Sequence, residues 1–219
     1  MKQKNLFYFY VILIFLSSCK LQPFEANKQQ IMTEDTGINE ETSLFIKNNN
    51  SNSYVFQTND IKYLSSKGFT LWSASFINES EDFETLSFKT YKESGKSDAG
   101  YGIVFCIQET DGVPFMLTVL INTKGMFSVG KVKNGVYSHI NEGWKSSTCI
   151  NRGYGVNNTI SISYDNNRNE FEISINGTVI STFTISENIL FKNSKSGFAV
   201  VIAPDEDFPA VPVKVTFER

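Results

Sequence analysis

The 219-residue chain sets 20 Lys and Arg against 23 Asp and Glu, a net charge of −3, and is 41% hydrophobic, which is apolar material enough for a core that folds alone. Its charges are scattered, with no basic block and no arginine patch interleaved with aromatics, which argues against docking to a nucleic-acid backbone. One histidine and three cysteines without a Cys-x-x-Cys argue equally against a structural zinc site.

At the N-terminus, Lys2 and Lys4 precede an apolar stretch from Leu6 to Leu16, which closes on Leu16-Ser17-Ser18-Cys19. That order is a secretory signal, and the stretch is shorter than the ~20 apolar residues of a spanning helix. The small residues before Cys19 resemble the lipobox of bacterial lipoproteins. The resemblance implies that residues 1–18 are a lipoprotein signal peptide, that Cys19 is the lipidated (palmitate-bearing) first residue, and that the protein is held at the cell membrane or outer membrane, facing the periplasm or the exterior. An uncleaved anchor helix is the competing reading. Loss of residues 1–18 removes two lysines and no acid and leaves 18 basic against 23 acidic residues, a net charge of −5. The membrane partner is then met through the lipid rather than through the protein surface.

Residues 19–52 are rich in Gln, Asn, Glu, Thr and Ser and read as a flexible tether. Leu44-Phe45-Ile46 is the exception, a candidate first edge strand that Asn48 to Asn52 interrupts. Residues 53–219 form the folded domain. Strand-like runs follow one another at Phe69 to Ile77, Phe83 to Tyr91, Tyr101 to Gln108, Phe115 to Asn122, Met126 to Lys131 and Gly135 to Ile140. Turn residues separate them, among them Asp111-Gly112, Lys124-Gly125 and Asn134-Gly135. Tyr101 to Ile107 is apolar on both faces, with Tyr101, Ile103, Phe105 and Ile107 on one side and Val104 and Cys106 on the other, so this strand should be central.

Asn158 to Tyr164 and Phe171 to Ile175 alternate strictly, which places Ile160, Ile162 and Tyr164 on one face and Phe171, Ile173 and Ile175 on another. Asp165 to Glu170 is the loop between them. Asn176-Gly177 tolerates positive φ at two successive residues and reverses the chain into Thr178 to Phe183. One helical turn is conceivable at Ser186 to Phe191. Gly197 to Ala203 and Val211 to Phe217 close the chain, and Pro212 assigns the last run to a sheet edge or to a strand start. The fold class that follows is all-β, with two packed antiparallel sheets.

Gly100-Tyr101-Gly102-Ile103-Val104-Phe105, Trp144, Gly153-Tyr154-Gly155 and Ile175-Asn176-Gly177, in that order, resemble the concanavalin A-like lectin and laminin G-like jelly rolls. The resemblance covers roughly residues 54–219 and rests on turns and core positions, so it implies fold more than activity. Glycoside hydrolases of that superfold carry paired acids alternating on one strand, and no such pair is present. Glu79, Glu81, Asp82 and Glu84 are the nearest cluster and read as a solvated loop, with Glu84 alone in a strand.

Nucleophilic catalysis finds no Gly-x-Ser-x-Gly elbow, and His139 reads as a strand histidine facing water. Asp165, Asn167 and Asn169 alternate as in calcium loops, but Glu170 stands where the tight loop needs glycine, so a turn is favoured and calcium is left open. Asp205-Glu206-Asp207 reads the same way. Cys106 reads as a buried hydrophobe, although export permits a disulfide between Cys106 and Cys149.

Aromatics remain as ligand-binding candidates. Trp72, Tyr91, Tyr137, Trp144 and Tyr154 are available, and Trp144 leads because it lies in a polar connection, with Tyr137, Tyr154 and Arg152 as neighbours in sequence. The competing expectation is that Trp144 folds back to plug one end of the sandwich. The functional reading is a lipid-anchored, non-catalytic carbohydrate-binding or envelope-associated module. A glycan hydrolase with an atypical acid pair and a surface adhesin for envelope or host proteins are the alternatives.

Overall fold

The computed structural model describes residues 44–47, 52–73, 85–110, 112–134, 136–186 and 194–219. The chain enters through β1 (Phe45–Lys47) and β2 (Ser53–Thr58), makes one 3-10 turn at Ile61–Tyr63, and continues into β3 (Phe69–Ser73) and β4 (Thr85–Ser94). Four strands then run in close succession: β5 (Tyr101–Thr110), β6 (Val113–Ile121), β7 (Met126–Lys133) and β8 (Val136–His139). A two-residue β9 (Lys145–Ser146) precedes β10 (Asn158–Asp165), β11 (Glu170–Ile175) and β12 (Thr178–Thr184). The last two strands are β13 (Lys195–Ile202) and β14 (Val213–Glu218).

The strands form two antiparallel sheets, one in the order β1-β2-β14-β4-β10-β11-β12 and the other in the order β3-β13-β5-β6-β7-β8, with β9 also on β7. This is the all-β, two-sheet antiparallel sandwich that the strand punctuation and turn residues lead one to expect, in the jelly-roll form that the resemblance implies. No α-helix occurs among the described residues. The expected helical turn at Ser186 to Phe191, the acids Glu79 to Glu84, the signal peptide with Cys19, and most of the tether lie outside them.

Period-two alternation sets the core. In β10 and β11 the register places Ile160 opposite Ile175, Ile162 opposite Ile173 and Tyr164 opposite Phe171, while on the other side Ile160 meets Phe88 and Ile162 meets Leu86. All four isoleucines are fully buried. Phe198 of the second sheet stacks on Phe217 of the first, with ring centroids 4.3 Å apart, and meets Phe88 edge to face at 4.9 Å, which joins the two layers. Burial of each such ring is worth roughly 1.5–3 kcal/mol. Phe45 of β1 packs on Phe56 at 4.9 Å, so the sandwich takes in the expected edge strand.

Asn176 and Gly177 take φ of 51° and 79°, as a type I′ hairpin requires. The Asn176 side chain donates to the Cys149 carbonyl at 2.7 Å and to Asn158 Oδ1 at 2.8 Å, and accepts from the Thr159 amide at 2.8 Å. Asp165 caps its own turn by accepting from the amides of Asn167 and Arg168, and Asn169 has φ of 52°. The stretch works as a turn.

Two expectations need correction. The first concerns parity in β5. The strand is central as expected, but a bulge falls between Phe105 and Gln108, and Cys106 there adopts φ of 52°. The extra residue shifts the alternation, so Phe105 and Cys106 both join the inter-sheet core while Ile107 packs on the opposite face.

The disulfide that export permits between Cys106 and Cys149 is not present in the structure, and Cys106 takes the buried place of the favoured reading. Both thiols are free: Cys106 is fully buried in the core, where burial pushes its pKa well up, and Cys149 Sγ lies 3.0 Å from Ser147 Oγ.

The second is Val211, which is exposed and precedes the last strand. Pro212 stands immediately before the strand start at Val213, and β14 lies inside its sheet between β2 and β4.

One end of the sandwich is polar. Leu86, Phe88, Thr90 and Lys92 form the inward row of β4, and the buried Lys92 ammonium donates to the carbonyls of Lys96 at 2.7 Å and Ala99 at 3.2 Å. Beside it the Glu206 carboxylate, also buried, accepts from the amides of Lys96 at 2.9 Å and Ala203 at 3.3 Å. Asp205 and Asp207 stay exposed and face Lys96 Nζ at 3.5 and 3.6 Å, so this triplet is a structural turn.

Candidate ligand-binding cleft

The second sheet has an apolar outer face. Trp72 on β3, Ala199 on β13, Val104 on β5, Met116 and Leu120 on β6 and Val132 on β7 form a cluster separate from the inter-sheet core. An apolar outer face is unusual for an antiparallel sheet, which ordinarily turns polar residues outward. Here it floors a cleft of about 430 Å³ that runs from β3 to β8. That volume falls in the ~300–1,000 Å³ range of ligand sites, and six strands at ~4.8 Å spacing give a length of about 24 Å along the sheet.

Two aromatic rings rise from this floor, and glycines make room for both. Tyr137 is opposite Val132, two residues along from the Gly130–His139 pair and on the same face, and its ring leans over Gly130, where a methyl group would come within 2.4 Å of the phenol. Its hydroxyl and the Ser128 hydroxyl are 3.0 Å apart, and Ser128 Oγ is also 3.0 Å from His139 Nδ1. The Tyr137 and His139 rings meet at right angles at 5.0 Å. Burial pushes the Tyr137 phenol up, against the pull of hydrogen bonding from Ser128, so it stays protonated at neutral pH.

Trp144 is placed by an interruption in the edge strand. β8 and β9 pair with the same side of β7, and the connection between them turns at Gly143 with φ of 81°. Asn141 Oδ1 accepts from the Val129 amide at 2.8 Å and fixes the start of that connection, while the Ser147 amide bonds Gly125 O at 3.0 Å and fixes its end. The indole then lies over Gly100, where a methyl group would sit 2.8 Å from Cη2, and joins the outer cluster. It does not plug the sandwich end.

Both tryptophans of the chain therefore line one cleft, Trp72 in its floor and Trp144 at its side. Trp72 Nε1 is buried and has no hydrogen-bond partner among the described residues.

Of the four ligand-binding candidates from sequence, the structure brings Trp144 and Tyr137 together and carries the other two away. Tyr154 donates its hydroxyl to Gly95 O and lines a separate shallow cleft with Glu93, Lys96 and Asp207. Arg152 lies across Gly125, where its Nε would meet an added methyl at 2.6 Å. Their loop is tied elsewhere, by the Gly153 amide to Thr123 O and the Gly155 amide to Lys92 O. Tyr91 is half-buried on β4, in the opposite sheet.

Sequence reasoning missed His139 and Lys67 as lining residues. The position of His139, two residues after Tyr137 on the same strand face, was the available signal. Among the described residues no group of three or more His, Cys, Asp or Glu is arranged to hold a metal.

No family model and no curated protein matches the chain. Among solved structures it is similar to a native glycosidic hydrolase at 11% identity, over 81% of this chain and 79% of that one, with a TM-score of 0.49. It is similar to a glycoside hydrolase family 16 endo-glucanase from Bacteroides ovatus at 11% identity, over 79% and 81% of the two chains, with a TM-score of 0.46. A carbohydrate binding module from Bacillus subtilis aligns at 11% identity over 78% and 81%, with a TM-score of 0.42. Likenesses of this order leave the site to be read from its own residues.

Proposed function

We propose that the protein is a lipid-anchored extracytoplasmic module that binds a saccharide in the cleft on the outer face of its second sheet, and that it does so without catalysis. The observation that carries this reading is the convergence of Trp72, Trp144 and Tyr137 on one groove. Flat apolar rings suit the C–H faces of pyranoses, and the polar atoms of Tyr137 and His139, held from below by the buried Ser128 hydroxyl, lie beside them to orient hydroxyls. A groove spanning six strands suits a chain of sugar units better than a single one.

No carboxylate lines the cleft among the described residues, so the flanking acid pair of a glycoside hydrolase has no support there. Attachment through Cys19 completes the reading, because the tether from Cys19 to β1 would hold the cleft clear of the membrane.

The test is a glycan array followed by calorimetric titration of the best binder against the wild type and Trp144→Ala. Loss of binding with an unchanged circular dichroism spectrum is expected. Turnover of the bound glycan, abolished by Glu84→Gln, would replace this reading with the hydrolase.

A further inference from the structure

The only fully charged side chain that lines the cleft among the described residues is a lysine, Lys67, and the only other ionisable group besides the Tyr137 phenol is the His139 imidazole. This holds in a chain whose net charge is −3, so the groove is locally more positive than the molecule around it. Lys67 and His139 flank opposite ends: Lys67 just precedes β3, one edge of the sheet, and His139 belongs to β8, the other.

Lys67 is held at its end by a compact turn. The Ser65 hydroxyl accepts from the Lys67 amide at 3.3 Å and donates to Gly68 O at 3.2 Å, and the Gly68 amide returns to Ser65 O at 3.2 Å. Gly68 has φ of 72° and sits where a methyl group would meet Ile202 O at 2.6 Å, so the turn is pressed against the end of β13. Lys62, Lys89, Lys96, Lys124, Lys145 and Lys214 each face a carboxylate within 4.0 Å, whereas the exposed Lys67 ammonium has no acidic partner among the described residues. At the other end His139 spends Nδ1 on Ser128 and keeps Nε2 for a ligand.

We infer that the cleft selects an anionic oligosaccharide, one bearing carboxylate or sulfate groups, with Lys67 as the charge partner at the β3 end and His139 Nε2 as a hydrogen-bond partner at the β8 end. The inference rests on the saccharide reading and adds the charge of the ligand to it. A neutral pyranose gains from Lys67 no more than water offers it, while an ionised oxygen gains a charge-assisted bond that is stronger than a neutral one. The aromatic floor contributes affinity for the sugar rings irrespective of charge, and Lys67 contributes the preference between acidic and neutral chains.

The experiment uses matched pairs of oligosaccharides of equal length, each uronate-bearing chain beside its carboxyl-reduced form and each sulfated chain beside its desulfated form. Wild type, Lys67→Glu and Trp144→Ala are titrated at low and high salt. The wild type should prefer one acidic member, with the preference shrinking as salt rises, and the uronate and sulfate arms separate the two sources of charge. Lys67→Glu should cut affinity for that acidic member about tenfold and leave its neutral partner within about twofold, while Trp144→Ala weakens both. Equal binding of both members of every pair, lost in Trp144→Ala, would overturn the anionic preference and leave the saccharide site standing. Absence of binding to every member, acidic or neutral, would overturn both.

Discussion

The ring of Tyr137 occupies the space that a side chain on Gly130 would fill. A methyl group at Gly130 would stand 2.4 Å from both Cζ and the hydroxyl oxygen, so the two residues cannot coexist in this arrangement if the glycine is replaced. Tyr137 is thereby laid down against the floor of the cleft with its hydroxyl 3.0 Å from Ser128, instead of standing out into solvent.

Gly130→Ala is therefore expected to disable the cleft while sparing the fold. Gly130 does not lie at positive φ, so alanine meets no backbone strain there and also lowers the entropy of the unfolded chain. The ring must swing off, losing a hydrogen bond worth about 1 kcal/mol, and the two effects roughly offset. Ligand affinity should fall tenfold or more, with the unfolding midpoint in urea changed little. Full affinity in the variant would show that the placement of Tyr137 is irrelevant to binding.

Cys19→Ser is expected to free the protein from the membrane fraction or to block its processing. Among the described residues no helix is long and apolar enough to cross a membrane, and the chain without residues 1–18 is acidic, which disfavours anionic lipid surfaces. Fractionation with and without the cysteine, combined with the mass of the mature N-terminus, is the measurement. Unchanged fractionation would favour the uncleaved anchor helix.

The parts of the fold that were legible in the sequence are those fixed by neighbours along the chain. Alternation in β10 and β11 and the Asn176-Gly177 turn are local, and they form as read. The bulge at Cys106 was not legible, because a cysteine at φ of 52° is imposed by the strands on both sides of β5 rather than by its own chemistry.

The same distinction divides the site residues. Trp144 and Tyr137 meet because β8 and β9 share one side of β7, while Arg152 and Tyr154, close by in sequence, follow a loop tied to Thr123 and Lys92. Lys67 carries no sequence signal at all. Lys92 carried one that parity could have used, since Leu86, Phe88, Thr90 and Lys92 must share a face.

Asn176→Ala should loosen the connection that leads from the cleft side into β10. The substitution removes three side-chain hydrogen bonds, to Cys149, Asn158 and Thr159, and puts a Cβ-branched-free but non-glycine residue at φ of 51° without the local bonding that makes asparagine tolerable there. The site is exposed, so water replaces part of what is lost, and a cost of about 1–2 kcal/mol is expected. Thermal unfolding is the readout. Asn176→Gly should recover the backbone part of the loss and not the hydrogen-bond part, and equal stability of both variants would discount the strain.

The contribution of Lys92 to stability should rise with pH above neutrality. The ammonium is fully buried, and desolvation pulls its pKa down to about 8, against the opposing pull of Glu206 and then Asp98. In the unfolded chain the same group titrates near ~10.4. Between those two values the unfolded chain holds a proton that the folded one has released, so unfolding becomes less favourable as pH increases, and below pH 8 the penalty of burying the charge is present in full. The penalty is on the order of 3 kcal/mol. Two groups work in the opposite sense: Cys106, whose thiol burial pushes well up, as the unfolded thiol ionises near ~8.5, and Tyr101, pushed up to about 12, as the unfolded phenol ionises near ~10. The Lys92 contribution is therefore read as the difference between wild type and a variant without the lysine. Urea titrations of wild type and Lys92→Met at pH 7, 8.5 and 9.5 measure it. The wild type should gain stability relative to the variant across that series, because methionine fills the stem and carries no titrating group, although it leaves the Lys96 and Ala99 carbonyls without their donor at every pH. Parallel curves for the two proteins would mean that the Lys92 ammonium is solvated, contrary to its place in the inward row of β4.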